Sequence, residues 1–347
     1  MRMGDLKALL NKSNVECVVV LSPNNVYYYS GYHSSNAQIV ATDKEQFFIT
    51  DPRYFLEASR KLSDKFQVVC GNFEDIAKLV GESKVVGWDS NVDYHTYIRL
   101  FDLLGGKQMV DIASMIDDER NVKSAWEIEQ IVKAQAVTDK CFEEILKYIK
   151  VGVSEIDIAS RLEYMILAEG CELAFDSIVA FGSNSAVPHA HRSDKKLQNG
   201  EFVLMDFGAK YNGYCSDMTR TVMMGNPSDK QVDVYESVLT AQQIALSGIK
   251  AGMRSDECDG LAREYLNSVG YGDKFTHSLG HELGIEIHEG QTFSPKSDRI
   301  IAENSVMSVE PGVYIDGQFG VRIEDIVVVG KDKVADLTKS NKKLIIL

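Results

Sequence analysis

Two stretches of this chain, 100 residues apart, begin and end alike. Gly152-Val153-Ser154-Glu155-Ile156-Asp157 leads into a helical pattern that carries Arg161, Glu163 and Tyr164 and stops at Gly170. Gly252-Met253-Arg254-Ser255-Asp256-Glu257 leads into one that carries Arg263, Glu264 and Tyr265 and stops at Gly270. A closing glycine in each fits a left-handed helix cap. The echo predicts a duplicated half-domain, with a site along the pseudo-twofold seam between the halves. Glycine-bounded amphipathic helices arising independently are the competing explanation.

Upstream of the echo the pattern differs. After a helix-like start, short apolar runs at Val15 to Leu21, Gln38 to Ala41, Gln46 to Thr50 and Gln67 to Val69 alternate with helical stretches, one around Tyr54 to Leu62. Such alternation predicts a small α/β domain. A polar stretch, Asp117-Asp118-Glu119-Arg120-Asn121, then precedes Ser124-Ala125-Trp126-Glu127. The last four fit a capping box, in which Ser124 and Glu127 satisfy amide donors at the start of a helix expected to reach about Lys150. The boundary is placed before it, giving domains over 1–118 and 119–347. A chain of 347 residues suits two domains.

The formal charge of -14 argues against a nucleic-acid partner, which needs a basic face, and an acidic surface suits anionic membranes poorly. The six cysteines are scattered, without the short pair spacing of a zinc knuckle or redox dithiol. Met1 to Leu10 carries charges inside its only apolar patch, and no run approaches the ~18 apolar residues of a membrane span. The expected location is cytoplasmic.

Chemistry concentrates in three segments. In Met205 to Asp217, Asn212-Gly213 favours a type I′ turn. Tyr211 then pairs with Tyr214, Gly208 faces Asp217, and Asp206 lies diagonal to Asp217 on the same face. Two carboxylates converge across a gap that a glycine keeps open, and a cation between them would relieve their repulsion. An exposed hairpin with two solvated acids is the alternative.

In His277 to His288, three of the seven histidines fall within twelve residues. A zincin motif fails because position 285 is isoleucine rather than a second histidine. Three histidines separated by glycines, where backbones can approach a ligand, still point to a site. In the last segment, a three-residue loop over Asp316, Gly317 and Gln318 would set Glu310 opposite Glu324, whereas a two-residue loop would put them on opposite faces. Both acids stand in apolar strands, where charge is costly unless paired or bound to metal. Buried ion pairs to Arg322 are the alternative.

Four carboxylates and one imidazole suit Mn²⁺, Co²⁺, Fe²⁺ or Zn²⁺ better than thiolate-loving ions. Two such dications balance four negative charges, and bridging carboxylates can hold a pair ~3.5 to 4 Å apart with a nucleophilic hydroxide between them.

The strings Asp206 to Ala209, Asn212 to Arg220, His277 to His288, Glu310-Pro311-Gly312 and Gly320 to Asp325 resemble those of the pita-bread metallopeptidases, in the prolidase and aminopeptidase P branch. The likeness extends to Tyr27 to Gly31 and Asp51 to Tyr54, which resemble the creatinase-type ribonuclease H-like module. The resemblance implies an α+β fold, with a small N-terminal α/β domain and a catalytic domain of duplicated helix/β-hairpin units. It implies hydrolysis of the bond before proline in short peptides by a metal-bridging hydroxide, with two divalent ions, manganese or cobalt ahead of zinc or iron. Asp206 would bind one ion, His281 and Glu310 the other, and Asp217 and Glu324 both. Glu310 would also shuttle a proton, His189 and His288 would be catalytic, and His277, Arg322 and Tyr314 would line or order the substrate site. His95 and His191 do not match and are expected at the surface. Relatives commonly have Gly-Phe-Thr-Gly-Ser where this chain has Gly31-Tyr32-His33-Ser34-Ser35, a segment implied to reach a neighbouring subunit's site in a homodimer. A methionine aminopeptidase shares the ligands but normally lacks an N-terminal domain; a peptide-binding relative would have lost the ligands.

Overall fold

The computed structural model describes residues 4–347, so the opening of the Met1 to Leu10 stretch lies outside the described residues. The chain divides into two compact units, 1–120 and 121–347.

The first unit is one six-stranded sheet with helices. Its strands are β1 (Cys17–Val20), β2 (Ala37–Thr42), β3 (Gln46–Thr50), β4 (Gln67–Cys70), β5 (Val85–Trp88) and β6 (Gln108–Asp111), in the order β4-β3-β2-β1-β5-β6. The β1–β2 and β2–β3 pairs are antiparallel and the outer pairs parallel. The helices α1 (Leu6–Ser13), α2 (Pro23–Ser30), α3 (Pro52–Leu62), α4 (Asp75–Val80), α5 (Tyr94–Leu104) and α6 (Ala113–Asn121) fill the connections. Asp5, Asp51 and Asp93 cap α1, α3 and α5 through their carboxylates, the expected role of Asp before a helix.

The second unit is built twice. Ser124 and Glu127 form the expected capping box of α7, which ends at Ile145, short of Lys150, because the chain tightens into turns at Lys147 and Tyr148. After α7 (Ala125–Ile145) comes α8 (Glu155–Ala168), and later α9 (Asp229–Gly248) is followed by α10 (Ser255–Ser268). The two echo glycines that close α8 and α10 have φ of 76° and 85°, the left-handed caps that glycine adopts without strain. Equivalent isolated bridges, Ser154 to Lys196 and Arg254 to Ile300, tie down the two helix entries. Each half also has its own apolar core: Cys141, Phe142, Ile158, Leu162, Val179 and Met205 in the first, Val238, Cys258, Leu266, Met307, Val309 and Val327 in the second.

The strands of the first half are β7 (Glu172–Leu173), β8 (Ile178–Phe181), β9 (Phe202–Phe207), β10 (Ala209–Tyr211), β11 (Tyr214–Cys215) and β12 (Met218–Met223). Those of the second are β13 (Gly280–Glu282), β14 (Glu289–Phe293), β15 (Val306–Val309), β16 (Gly312–Ile315), β17 (Phe319–Arg322), β18 (Asp325–Val329) and β19 (Val334–Asp336). They form sheets ordered β12-β9-β8 and β14-β13-β15-β18-β19, with smaller ribbons β11-β10-β7 and β16-β17. No helix among the described residues is long and apolar enough to cross a membrane.

Candidate metal centre

Asn212 and Gly213 both have positive φ, 45° and 75°, as the type I′ turn requires, and Tyr211 pairs with Tyr214. The same register resumes further out, where Asp206 faces Thr219 and Phe207 faces Met218. Between the two ladders the strands lapse at 208 and at 216–217, which frees Asp217 to turn inward. The glycine does not hold a gap open. A Cβ on Gly208 would stand 1.9 Å from the Ser216 carbonyl oxygen, so its absence lets the two backbones close together. Because side chains alternate, Val203, Met205 and Phe207 enter the first core while Asp206 points away from it.

The second hairpin repeats the device. Ile315 pairs with Phe319 around the three-residue loop 316–318, and Gly312 with Arg322. Val309 pairs with Asp325 in the next ladder. Glu310 and Glu324 therefore stand at facing positions in the lapse between ladders, while Val309 enters the second core.

These acids and His281, on β13, line one cavity of about 520 Å³ together with His189, His277, His288, Arg322, Phe175, Asp176, Ile178 and Ile287. Asp217, His281 and Glu324 offer ligand atoms within 4.8 Å of one another. His281 Nε2 is 3.4 Å from Asp217 Oδ2 and 3.5 Å from Glu310 Oε1. Asp206 Oδ1, Asp217 Oδ1 and Glu324 Oε1 are buried without any hydrogen-bond partner. Burial, reinforced by the neighbouring carboxylates, pushes Asp217 and Glu324 well above the usual carboxylate range. Burial also raises Asp206, against the lowering charge of Arg322. Unpartnered buried oxygens are costly, and a hard oxygen set with a single imidazole fits divalent ions.

Among the described residues, Arg322 is the one lysine or arginine in this wall. Its Nη2 donates to Asp206 Oδ2 at 2.6 Å, while its Nε is 3.9 Å from Glu310 Oε2, so the ion pair falls on Asp206 rather than on Glu310 or Glu324. Tyr314 is not in the cavity wall: it is a buried strut whose hydroxyl contacts His277 Nε2 and accepts from Arg322 Nη1, both at 2.9 Å. Burial beside these groups pushes its phenol up to about 12. His277 and His288 are both held below the ordinary imidazole range, first of all by burial. His189 and His288 are exposed at the cavity, and His95 and His191 are exposed elsewhere. The segment Gly31 to Ser35 belongs to the first unit, where His33 stacks on Tyr27 at 3.7 Å.

Two hydroxyls escaped the sequence reading. Thr219 Oγ1 donates to Glu324 Oε2 at 2.7 Å and accepts from Arg322 Nε at 2.9 Å. Ser308 Oγ accepts from the His281 amide at 2.9 Å and donates to Glu310 Oε1 at 3.1 Å. Alternation puts Thr219 on the face of Asp206 and Ser308 on that of Glu310, the one local signal that could have flagged them.

The sequence profile of metallopeptidase family M24 matches residues 129–331, a span that contains every residue of this centre. The chain belongs to that family. The profile of the creatinase/prolidase N-terminal domain matches residues 2–122 of this M24 chain. A Xaa-Pro dipeptidase of Pyrococcus furiosus is 35% identical over 345 residues, 99% of each chain. Among solved structures, a Xaa-Pro dipeptidase from Bacillus anthracis superposes with a TM-score of 0.94 at 35% identity, covering 99% of this chain and 98% of that one. An X-Pro aminopeptidase from Thermotoga maritima does so with a TM-score of 0.92 at 35% identity and the same coverage. The fold is therefore the pita-bread metallopeptidase fold behind a creatinase-type domain.

Proposed function

We propose that this M24 metallopeptidase hydrolyses the bond before proline in short peptides, with Xaa-Pro dipeptides as its best substrates. The observation that carries this reading is the set of three unpartnered buried carboxylate oxygens in a cavity shared with His281 and Glu310, in a chain 35% identical to Xaa-Pro dipeptidases.

In this reading Asp206, Asp217, His281, Glu310 and Glu324 hold two divalent ions, manganese or cobalt ahead of zinc or iron, within a catalytic domain spanning 119–347. When bound, such ions polarise the scissile carbonyl and acidify water into a nucleophile at neutral pH. Glu310 takes the proton that the attacking water loses, with Ser308 orienting its carboxylate. His189 and His288, at the open side of the cavity, donate to the carbonyl oxygen as negative charge develops. Arg322 orders Asp206, and the His277–Tyr314 strut orders Arg322. A proline nitrogen has no hydrogen and a fixed ring, which handicaps peptidases that need an amide donor there. A cavity lined by Phe175, Ile178 and Ile287 offers apolar packing for such a ring. The reading extends to a cytoplasmic homodimer, which sedimentation of the purified chain would test.

The X-Pro aminopeptidase of Thermotoga maritima resembles the chain as well as the dipeptidases do, and that observation favours longer substrates as a second reading. Hydrolysis of Ala-Pro, Ala-Pro-Ala and Ala-Ala under Mn²⁺, followed by mass spectrometry, separates them. The expected order is Ala-Pro first and Ala-Ala last by a few kcal/mol or less in kcat/KM. Faster cleavage of Ala-Pro-Ala would make the chain an aminopeptidase P, and equal cleavage of Ala-Ala would overturn prolyl specificity.

A further inference from the structure

Two histidines of the centre are each followed by a buried acid, Glu282 after His281 and Glu289 after His288, and one cation holds both acids. Lys123 Nζ lies 2.5 Å from Glu282 Oε1 and 3.3 Å from Glu289 Oε2, with side-chain exposures of 1%, 0% and 4% for the three residues in that order. Lys123 stands just before the cap of α7, far in sequence from the loop it grips, and its own amide donates to the Asn304 carbonyl at 3.1 Å. None of the three residues lines the cavity.

The loop between β13 and β14 is moulded around these carboxylates. Glu282 Oε2 accepts from the Gln291 amide and Glu289 Oε1 from the Glu286 amide, both at 3.0 Å. A Cβ on Gly284 would stand 2.6 Å from Glu289 Oε2, and one on Gly290 would stand 2.6 Å from Glu282 Oε2. Gly284, one of the glycines expected from sequence to admit a ligand, thus admits a buried acid, and Gly290 does the same. The strand ladder does not fix the loop, since the β13–β14 register shifts between His281 and Glu282. His281 and Glu282 are successive residues of β13 and point to opposite faces, and His288 directly precedes Glu289 at the start of β14, so gripping Glu282 and Glu289 sets how the two histidines face the cavity. Their rings meet edge to face, with centroids 4.3 Å apart. Glu324 has a parallel arrangement, because the fully buried Asp325 behind it accepts from Arg220 Nη2 at 2.7 Å and from Lys342 Nζ at 2.5 Å.

We infer that Lys123 is a positioning residue of the centre: by clamping Glu282 and Glu289 it sets the placement of His281 and His288 without touching substrate. A buried ion pair is seldom a better source of stability than apolar packing of the same volume, so the consequence of this one lies in placement. The inference rests on the proposed metal centre. Its test uses Lys123→Met in the full chain, with cobalt(II) titrated by visible absorption and the histidine imidazoles followed by NMR. The expected result is cobalt binding weakened at least about tenfold, the scale known for groups that orient metal ligands, with displaced His281 and His288 signals. At saturating cobalt, kcat for Ala-Pro should fall while KM stays near wild type. Wild-type cobalt affinity with unmoved imidazole signals would overturn the inference. If Lys123→Met does not fold, Glu289→Gln decides, because it keeps the Lys123–Glu282 pair. A displaced His288 signal with lower kcat supports the clamp, and wild-type signals with wild-type kcat overturn it. A wild-type chain that binds cobalt but spares Ala-Pro would sink the prolyl reading alone, whereas one that binds no cobalt would sink the metal centre and this inference with it.

Discussion

The hairpin that carries Asp206 and Asp217 and the one that carries Glu310 and Glu324 both keep register through the point where their ladders lapse, but they turn and neutralise charge differently. The first turns in two residues and packs backbone on backbone at Gly208. The second turns in three, with Gly317 at φ 67°. Each sends an arginine to the other half, but only the second sends it to a centre acid: Arg322 reaches Asp206 at 2.6 Å, whereas Arg220 of the first reaches Asp325, behind Glu324, at 2.7 Å. The first half answers with Thr219, which donates to Glu324. Duplication thus supplies a repeated frame, and the residues that depart from the repeat supply the cross-links that bind the two sets of acids into one centre.

The strongest way to break this comparison is to remove one acid from each half. Asp217→Ala and Glu324→Ala should each empty both metal positions and lower kcat/KM by more than about a hundredfold, beyond the loss seen when only a supporting group is removed. Asp206→Ala should empty mainly one position. Elemental analysis checks this, and equal loss in all three variants would refute the bridging roles. Next in size, His189→Ala and His288→Ala should cut kcat by roughly 10²- to 10³-fold with metal content intact, as for a lost oxyanion donor. Normal turnover in both would make them bystanders.

A finer contrast concerns the hydroxyls. Thr219→Val cuts the link between halves and should weaken manganese affinity about tenfold, whereas Ser308→Ala touches the second half alone and should cost less. Isothermal titration would rank them, and the reverse order would mean that the cross-link matters less than the local contact. The smallest effect is a pH dependence in the strut. Burial depresses the His277 pKa, so the unfolded chain binds the proton more readily than the folded one. Stability from this group is present above the ordinary imidazole value of about 6.5 and is lost as pH falls below it. Thermal unfolding from pH 7.5 to 5 should therefore be less acid-sensitive in His277→Gln than in wild type.

The metal-side acids were legible because local rules reached them. Asn212-Gly213 set the first register, and period-two alternation then put Asp206 diagonal to Asp217 on one face, whereas Glu310 facing Glu324 followed only from the three-residue loop 316–318 that the structure adopts. The glycines were misread, since a glycine that admits a ligand and one that admits a neighbouring carbonyl or carboxylate look the same in one dimension. Tyr314, expected to line or order the substrate site, stands behind the cavity wall against His277 and Arg322, because its strand position says which face it shares but not what covers that face.

By itself the sequence determined the Asn212-Gly213 turn, the helix caps at Ser124, Gly170 and Gly270, and the convergence of Asp206 and Asp217 on one face. All of these depend on backbone preferences and spacings that act within a few residues. Only the tertiary structure decided which charge meets which. Arg322 pairs with Asp206 across 116 positions, Thr219 joins Glu324 across 105, and Lys123 holds Glu282 across 159. Such pairings depend on distance in space and on the exclusion of water, and neither is written in the local sequence.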